Sequence, residues 1–244
     1  MGTIIAVTSG KGGTGKTSVT SGIAASLALM GRSVLCIDMD IGLRNLDISL
    51  GLNDRALMDF SDVALGRCPL ARAAVSPPDV KGLSLLTAPL SLPASLPAAK
   101  VRALLRTADS MYDYVLIDSP AGLGAGFRLA TCGADRVLVV ATNDASSLRD
   151  AQRTVAELDR VRQVHLVMNR IQPRLLRKLR TTIDDAMNAA GLPLIGVVPE
   201  DPQVILCANQ GVPLTSRGRR GAALACWNIA QRLEGRQVPI MRIR

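Results

Sequence analysis

The sequence predicts an α/β fold: a doubly wound, mostly parallel β-sheet with helices on both faces. Short apolar runs rich in β-branched residues alternate with longer segments of helical periodicity along the whole chain. Several of the runs are apolar on both faces, which is typical of buried parallel strands. Such alternation predicts a parallel sheet covered on both sides. The 244 residues contain no long linker and no fixed repeat, so we expect one domain over residues 1–244.

Each predicted element follows from its local pattern. Apolar runs predict strands at Thr3–Thr8, Ser33–Ile37, Leu83–Thr87, Tyr114–Ile117, Arg136–Ala141, Val164–Met168 and Leu194–Val198. Helical periodicity predicts helices at Thr17–Met30, Ala98–Ser110, Ser146–Arg160, Leu175–Ala190 and Gly221–Leu233. Three prolines within Leu83–Ala99 forbid a continuous helix there, so we expect a surface loop after the third strand.

Composition and charge narrow the class of protein. With 48% hydrophobic and 20% charged residues the chain is globular, which excludes disorder and collagen-like repeats. Only 2% of residues are aromatic, which argues against a base-stacking surface for single-stranded nucleic acid. The net charge is +9, of which +8 falls in residues 151–244. Localised positive charge attracts anionic membranes or nucleic acid, and it is equally typical of an ordinary solvated surface in an arginine-rich protein.

The cysteines and the N-terminus concern the cellular compartment. Five cysteines form no C-x-x-C pair, so zinc ribbons, iron–sulfur carriers and disulfide scaffolds are poorly supported. The first residues lack a basic segment followed by a long apolar one, and no window approaches 18 apolar residues. We therefore expect a reduced, cytoplasmic protein.

A complete phosphate-binding motif follows the first predicted strand. Residues 9–18 read SGKGGTGKTS and contain Gly10-x-x-x-x-Gly15-Lys16-Thr17, the P-loop pattern, between an apolar strand and a helix. The glycines let backbone N–H groups turn inward around an anion, and the helix directs its positive end at the phosphates. Lys16 is expected to contact the β- and γ-phosphates, and the Thr17 hydroxyl to bind Mg²⁺. The predicted nucleotide-binding residues here are Gly12, Gly13, Thr14, Gly15, Lys16, Thr17 and Ser18.

Acidic residues end two further strands. Asp38 and Asp40 follow the second strand, and their spacing directs both carboxylates to one side. Asp118 ends the apolar run that begins at Tyr114, which is a Walker B pattern whose acid holds Mg²⁺ directly or through water. Carboxyl ends of parallel strands meet at the edge where open α/β sheets bind ligands. A glycine-rich segment, Gly122-x-Gly124-x-Gly126, follows Asp118 and suits a switch that rearranges with the γ-phosphate.

These motifs resemble a known family. The loop K-G-G-T-G-K-T has a second lysine, Lys11, and is similar to the deviant Walker A motif of the MinD/ParA ATPases. The segment D-M-D-I-G-L-R-N-L-D from Asp38 and the segment D-S-P-A-G from Asp118 are closer to the MinD branch than to the ParA branch. The resemblance spans roughly residues 2–240 and implies a doubly wound P-loop ATPase.

The resemblance implies roles for individual residues. Lys11 would act across a dimer interface on the partner's nucleotide, a role similar to that of an arginine finger. Asp40 would position the attacking water, and Asp38 would support Mg²⁺ together with Thr17 and Asp118. Lys11, Lys16 and Asp40 are thus the predicted catalytic residues.

Two loops at the ends of later strands carry the implied adenine site. Asn169 and Arg170 follow the sixth strand, and Pro199, Glu200 and Asp201 follow the seventh. The asparagine amide offers the donor and acceptor pair that an adenine edge needs. By itself Asn169 is also compatible with a turn-forming residue after a strand.

The resemblance implies an ATP/ADP- and Mg²⁺-dependent switch. ATP would favour a homodimer and hydrolysis would release it, and the implied role is placement of the bacterial division septum. Implied partners are division-inhibitor and topological-regulator proteins, with peripheral attachment at the inner face of the cell membrane. Alternatives within the family are a partition ATPase that binds DNA non-specifically and a flagellar-number regulator. The switch sequence disfavours the partition ATPase, whereas the basic charge and the missing membrane helix favour it. A substrate-activating synthetase on the same fold and a non-hydrolysing adaptor are further alternatives.

Two segments depart from the family or leave alternatives open. The resemblance implies a C-terminal amphipathic helix that binds the membrane, but the residues after Glu234 are few and Pro239 interrupts them, so we expect no such helix there. The segment from Arg174 to Arg180 (RLLRKLR) places basic residues opposite leucines. It is either a basic amphipathic turn or a solvated helix face that packs its leucines on the sheet, and the pattern favours the second.

Overall fold

One seven-stranded sheet organises the chain. The computed structural model describes residues 2–53, 55–91, 93, 96–158, 161–241 and 243. The strands are β1 (Thr3–Thr8), β2 (Val34–Asp38), β3 (Leu83–Leu86), β4 (Tyr114–Asp118), β5 (Arg136–Ala141), β6 (Gln163–Ile171) and β7 (Leu194–Pro199). Their order is β3-β2-β4-β1-β5-β6-β7, and every pairing between them is parallel. The predicted doubly wound α/β fold is confirmed.

Helices cover both faces of this sheet. They are α1 (Lys16–Leu29), α2 (Asn45–Ser49), α3 (Phe60–Ala64), α4 (Leu70–Ala73), α5 (Ala98–Met111), α6 (Ala125–Thr131), α7 (Ala145–Ala156), α8 (Pro173–Leu179), α9 (Ile183–Ala190), α10 (Pro202–Asn209) and α11 (Gly221–Leu233), with a 3₁₀ turn at Leu214–Arg217. The strands alternate their side chains between two cores: Ile4 and Ala6 of β1 belong to one, Ile5 and Val7 to the other. Among the described residues, no helix combines the length and apolarity needed to cross a bilayer.

Helix α1 fixes the phosphate loop against the body of the protein. Gly15 precedes it in the left-handed region (φ 88°), and Gly31 follows it in the same region. Most of α1 is buried between the sheet and α11. At Gly22 an added Cβ would lie 2.6 Å from Sγ of Cys226 on α11, so the two helices approach closely only because this residue has no side chain. The close packing holds the N-terminus of α1 at the carboxyl end of β1.

One predicted helix is wrong. The segment Leu175–Ala190 forms two helices, α8 and α9, separated at Arg180, which adopts the left-handed conformation (φ 53°). Thr182 is the N-cap of α9. Its hydroxyl accepts a hydrogen bond from the backbone N–H of Asp185, and the Asp185 carboxylate accepts one from the backbone N–H of Thr182. This capping box specifies a helix N-terminus inside a stretch whose apolar periodicity is continuous.

The structure also changes the lengths of some elements. Helix α7 ends at Ala156, before the predicted limit at Arg160, which lies outside the described residues. Strand β6 extends from Gln163 to Ile171, because its pairing with β7 continues past register shifts near Met168. Of the loop expected after the third strand, residues 92, 94 and 95 lie outside the described residues.

Candidate functional site

The phosphate loop between β1 and α1 forms a glycine-rich turn at the carboxyl edge of the sheet. Gly13 and Gly15 both adopt positive φ angles, of 78° and 88°. An added Cβ at Gly15 would lie 2.3 Å from Nδ2 of Asn169, so this position also requires glycine for packing. An added Cβ at Gly13 would meet nothing within 4 Å. The loop at Gly13 therefore borders open space.

Lys16 lies at the base of this loop. Its side chain is largely buried, and its Nζ donates to Oγ of Ser9 at 3.0 Å. Burial lowers the pKa of Lys16, while the nearby carboxylates of Asp118 and Asp40 oppose that shift. A lysine cation in such a site attracts anionic ligands strongly, because charges interact more strongly in low-dielectric surroundings than in water.

The Walker B aspartate contacts the first turn of α1. Asp118 ends β4 and is fully buried. Its carboxylate accepts a hydrogen bond from the Thr17 hydroxyl at 2.6 Å and a longer one from Thr20 at 3.4 Å. The two residues assigned to Mg²⁺ from separate motifs, 101 positions apart, are therefore in direct contact.

Asp38 and Asp40 lie beside this pair at the end of β2. Asp38 is directly opposite Asp118 in the β2–β4 register. The Asp38 carboxylate accepts from the backbone N–H of Asp40 at 2.8 Å and from that of Leu46 at 3.3 Å, so it holds the loop that leads to α2. Asp40 itself is half-buried, and the charge of Lys16 lies close enough to act on it.

Burial dominates the electrostatics of the acidic residues. It raises the pKa of Asp38 to about 6, although two backbone N–H groups oppose the shift. It raises the pKa of Asp118 to about 7, and the neighbouring charge of Asp38 adds to the effect. Burial also raises the pKa of Asp40, with Lys16 opposing it. Carboxylates in these surroundings are stabilised in their charged form by a further cation.

The donor set fits Mg²⁺ bound together with a nucleotide. Within the described part of the chain, no group of three or more His, Cys, Asp or Glu side chains is arranged to hold a metal ion. Magnesium, however, binds through one or two protein oxygens, several waters and substrate phosphates instead of a complete protein cage. Thr17, Asp38 and Asp118 supply hard oxygen donors next to the open phosphate loop, which is the arrangement that mode of binding needs.

A cavity with apolar walls opens on the other side of the loop. Its lining includes Val19 and Cys226 from α1 and α11, and Pro199 from the end of β7. The adenine candidates Asn169 and Arg170 line the same cavity. Clefts with apolar walls and a few polar groups are typical of sites for planar ligands.

Asn169 and Arg170 tie the end of β6 to the phosphate loop. Asn169 Nδ2 donates to the carbonyl oxygen of Thr14 at 2.7 Å. Arg170 adopts a positive φ of 57°, donates to the carbonyl oxygen of Gly13 at 3.3 Å and pairs with Glu200 at 2.9 Å. These contacts join the phosphate loop to the β7 loop, so the sixth- and seventh-strand residues do meet at one site.

Asp201 has a structural role that the sequence does not indicate. It lines the cavity, but its Oδ1 accepts from the backbone N–H of Gln203 and its Oδ2 from that of Ala222, both at 2.9 Å. It therefore caps the starts of α10 and α11 together. An added Cβ at Gly221 would lie 2.1 Å from Asp201 Oδ2, which explains the glycine there.

Lys11 is separate from the acidic group. Its Nζ lies 2.8 Å from Oδ1 of Asp144 and 2.8 Å from Oγ of Ser146, at the N-terminus of α7. Asp144 also caps α7 and accepts from Thr142, and despite some burial these hydrogen bonds hold its pKa well below the usual range. No short motif marks Asp144 as a site residue, although an aspartate between β5 and a helix at the carboxyl edge is a position that favours ligand binding.

The phosphate loop, the two strand-end acids and the apolar cavity together define a P-loop nucleotide-binding protein. The model of the CobQ/CobB/MinD/ParA nucleotide binding domain matches residues 5–214. The septum site-determining protein MinD of Synechocystis is 37% identical over 99% of this chain and 92% of its own length.

Solved structures agree. The MinC:MinD cell division protein complex of Aquifex aeolicus superposes with a TM-score of 0.92 and 35% identity, covering 98% of each chain. The septum site-determining protein MinD of Pyrococcus horikoshii, complexed with Mg-ADP, gives 0.84 and 27% identity over 96% of each chain. This chain belongs to the MinD family of P-loop ATPases.

Proposed function

We propose that this ATPase is an ATP-dependent dimerisation switch that places the division septum. The observation that carries the proposal is the convergence of Lys16, Thr17, Asp38, Asp40 and Asp118 beside an open phosphate loop, with Lys11 at its rim. The MinD names of the relatives support the role in septum placement over the partition and flagellar alternatives.

Each residue has a defined task in this proposal. The loop from Gly12 to Ser18 binds the phosphates through backbone N–H groups, and Lys16 pairs with the β- and γ-phosphates. Thr17, Asp38 and Asp118 would hold Mg²⁺, which supplies charge neutralisation on the phosphates when bound. Asp40 accepts a hydrogen bond from the attacking water and orients it.

The adenine would enter the apolar cavity. The amide oxygen of Asn169 suits the amino group of adenine, since Nδ2 donates to the carbonyl oxygen of Thr14. Arg170 and Glu200 form the polar rim, Pro199 forms a wall, and Asp201 positions the surrounding helices.

Lys11 is the residue that links hydrolysis to assembly. In this proposal it leaves Asp144 and reaches the phosphates bound by a second copy of the chain, and the partner's lysine does the same here. The ion pair with Asp144 is about half-exposed, so solvent screening keeps it weak enough to exchange for a phosphate contact.

The proposed partners follow from the same switch. The MinC:MinD complex of Aquifex aeolicus supports a division-inhibitor protein as the partner of the dimer, and a topological regulator would control where that dimer persists. The proposed location is cytoplasmic, with peripheral attachment to the inner face of the membrane.

The substitution Lys11→Ala tests the switch. We expect ATP binding by the monomer to remain, because Lys16 and the loop are unchanged. ATP-dependent dimers should disappear, and hydrolysis should fall by roughly a thousandfold or more, the range for loss of an arginine-finger type of contact. Analytical ultracentrifugation with ATP or ADP measures assembly, and phosphate release measures hydrolysis.

Lys100→Ala, at an exposed position on α5, is the matched control. It should dimerise and hydrolyse ATP as the unmodified chain does. If Lys11→Ala also dimerises and hydrolyses ATP normally, the action of Lys11 across an interface is wrong. If the unmodified chain forms no ATP-dependent dimer, the switch itself is wrong.

A further inference from the structure

Helix α8 stands on the surface instead of joining the core. None of its seven residues is buried. Leu176 alone packs partly against the core, while Leu175 is 39% and Leu179 is 50% exposed. The expectation that the leucines of this segment pack on the sheet is therefore wrong for two of the three.

The same short segment concentrates positive charge. Arg174, Arg177, Lys178 and Arg180 are all exposed. Within the part of the chain that the structure describes, none of them forms an ion pair or a side-chain hydrogen bond. The nearby acidic side chains have other contacts. Glu200 pairs with Arg170, and Asp185 caps α9. Asp184 lines an apolar groove between α8 and the terminal segment.

The end of the chain extends this surface. Arg232 donates to the carbonyl oxygens of Val238 and Pro239 and also to that of Ile195 in β7, so it ties the terminal segment to this strand. Ile240 and Ile243 then line a groove together with Leu176 of α8. Ile240 is 42% exposed, so further apolar surface lies next to the cations of α8.

We propose that α8 and the adjoining Ile240 form a contact surface for a membrane rich in anionic phospholipid. A bilayer interface offers both partners that this surface lacks: headgroup phosphates for the cations, and an acyl boundary for exposed leucines. Duplex DNA supplies phosphates but no apolar layer, so it leaves Leu175 and Leu179 in water. The inference deepens the proposed membrane-attached switch and rests on it.

Vesicle co-sedimentation with ATP tests the surface. The unmodified chain should pellet with vesicles of phosphatidylglycerol and phosphatidylcholine and stay in solution with phosphatidylcholine alone. The variant R174Q/R177Q/K178Q should bind at least about tenfold more weakly, because each juxtamembrane cation contributes separately. The variant L175S/L179S should lose a similar share of its vesicle affinity, because it removes apolar surface that would enter the acyl boundary.

The matched control removes the same charge elsewhere. K81Q/K100Q/R106Q changes three exposed cations far from α8 and should pellet normally. If it loses as much binding as the α8 variant, only net charge matters and the surface assignment is overturned. Basal ATP hydrolysis, equal in all variants, verifies that each one folds.

A fluorescent probe gives an independent measurement. With Trp227 replaced by Phe, an L179W variant should show a blue-shifted emission when the phosphatidylglycerol vesicles are added, because the side chain enters the apolar boundary. An unshifted emission overturns the proposal.

The failures are distinguishable. If the α8 variants bind vesicles as well as the unmodified chain does, the proposed α8 surface is wrong, while the proposal of a membrane-attached switch stands. No vesicle binding by the unmodified chain overturns both the surface and membrane attachment. Binding of duplex DNA, weakened by R174Q/R177Q/K178Q, with no vesicle binding, assigns the cations of α8 to nucleic acid instead. The dimerisation switch is tested separately, by measuring ATP-dependent dimerisation.

Discussion

The two edges of the sheet contain carboxylates in opposite electrostatic situations. At the carboxyl edge, burial raises the pKa of Asp38 to about 6 and that of Asp118 to about 7. At the amino edge, hydrogen bonds from Ser33 lower the pKa of Asp113, and those from Arg32 and Tyr114 lower that of Glu234 against the effect of its burial. Asp113 directly precedes β4 and Asp118 ends it, so being next to this strand does not by itself decide whether the pKa rises or falls.

The difference lies in how each carboxylate is paired. Glu234 accepts from Tyr114 at 2.6 Å and from Arg32 at 2.6 and 3.0 Å, which ties the end of α11 to the sheet. Asp38 and Asp118 are opposite each other on adjacent strands, and the charge of Asp38 adds to the effect of burial on Asp118, while Lys16 opposes it. The amino edge therefore contributes folding free energy, whereas the carboxyl edge costs some and gains affinity for a cation and phosphates.

The sharpest test of this contrast is the pair Asp118→Asn and Asp113→Asn. Asp118→Asn should reduce ATP hydrolysis by roughly a hundredfold or more, since metal-assisted charge neutralisation is worth several kcal/mol. It should also stabilise the nucleotide-free protein by about 1 kcal/mol or more, because a buried charge with a raised pKa is removed. Phosphate release and urea unfolding measure the two effects.

Asp113→Asn is the matched control. It should leave hydrolysis unchanged and lower stability slightly, because it weakens an exposed carboxylate that accepts from Ser33. Equal effects of the two substitutions would contradict the assignment of different roles to the two edges.

The amino edge is tested by Glu234→Ala. We expect a loss of about 1–3 kcal/mol of unfolding free energy, since the largely buried Tyr114 hydroxyl is left without its acceptor. ATP hydrolysis at permissive temperature should stay normal. Glu234→Gln retains an acceptor and should lose less. Impaired hydrolysis in a folded Glu234→Ala protein would show that the edges are coupled and not separate.

The smallest expected effect is on the pH dependence of stability. Between their ordinary pKa of 3.8 and the raised values, Asp38 and Asp118 bind protons in the folded state that the unfolded chain has released. The nucleotide-free protein should therefore lose stability as the pH rises from about 5.5 to about 8.

Added Mg²⁺ with ADP should raise the melting temperature more at about pH 8 than at about pH 5.5, because the metal requires deprotonated carboxylates. Asp118→Asn should flatten the pH profile of the nucleotide-free protein. A profile that Asp118→Asn leaves unchanged would mean that other groups titrate in this range.

Much of the fold was predictable because its signals are local. The strands β1 and β5 match their predicted bounds, and α1 begins one residue before its predicted start, since apolar runs and glycines act over a few residues. The break between α8 and α9 at Arg180 was not predicted, because the helical periodicity of apolar residues continues across it. The capping box at Thr182 is the local signal that a second helix begins there. The assignment of residues 1–244 to one domain stays a prediction, although all seven strands join one sheet.

The sequence by itself determined the P-loop, the positions of Asp38, Asp40 and Asp118 at strand ends, and the family, because each is encoded in a short contiguous pattern. Only the tertiary structure decided which distant groups meet. It pairs Lys11 with Asp144 across 133 positions, engages both oxygens of Asp201 in capping, and leaves Leu175 and Leu179 exposed. Such pairings and exposures depend on how all the strands and helices pack, which no local pattern specifies.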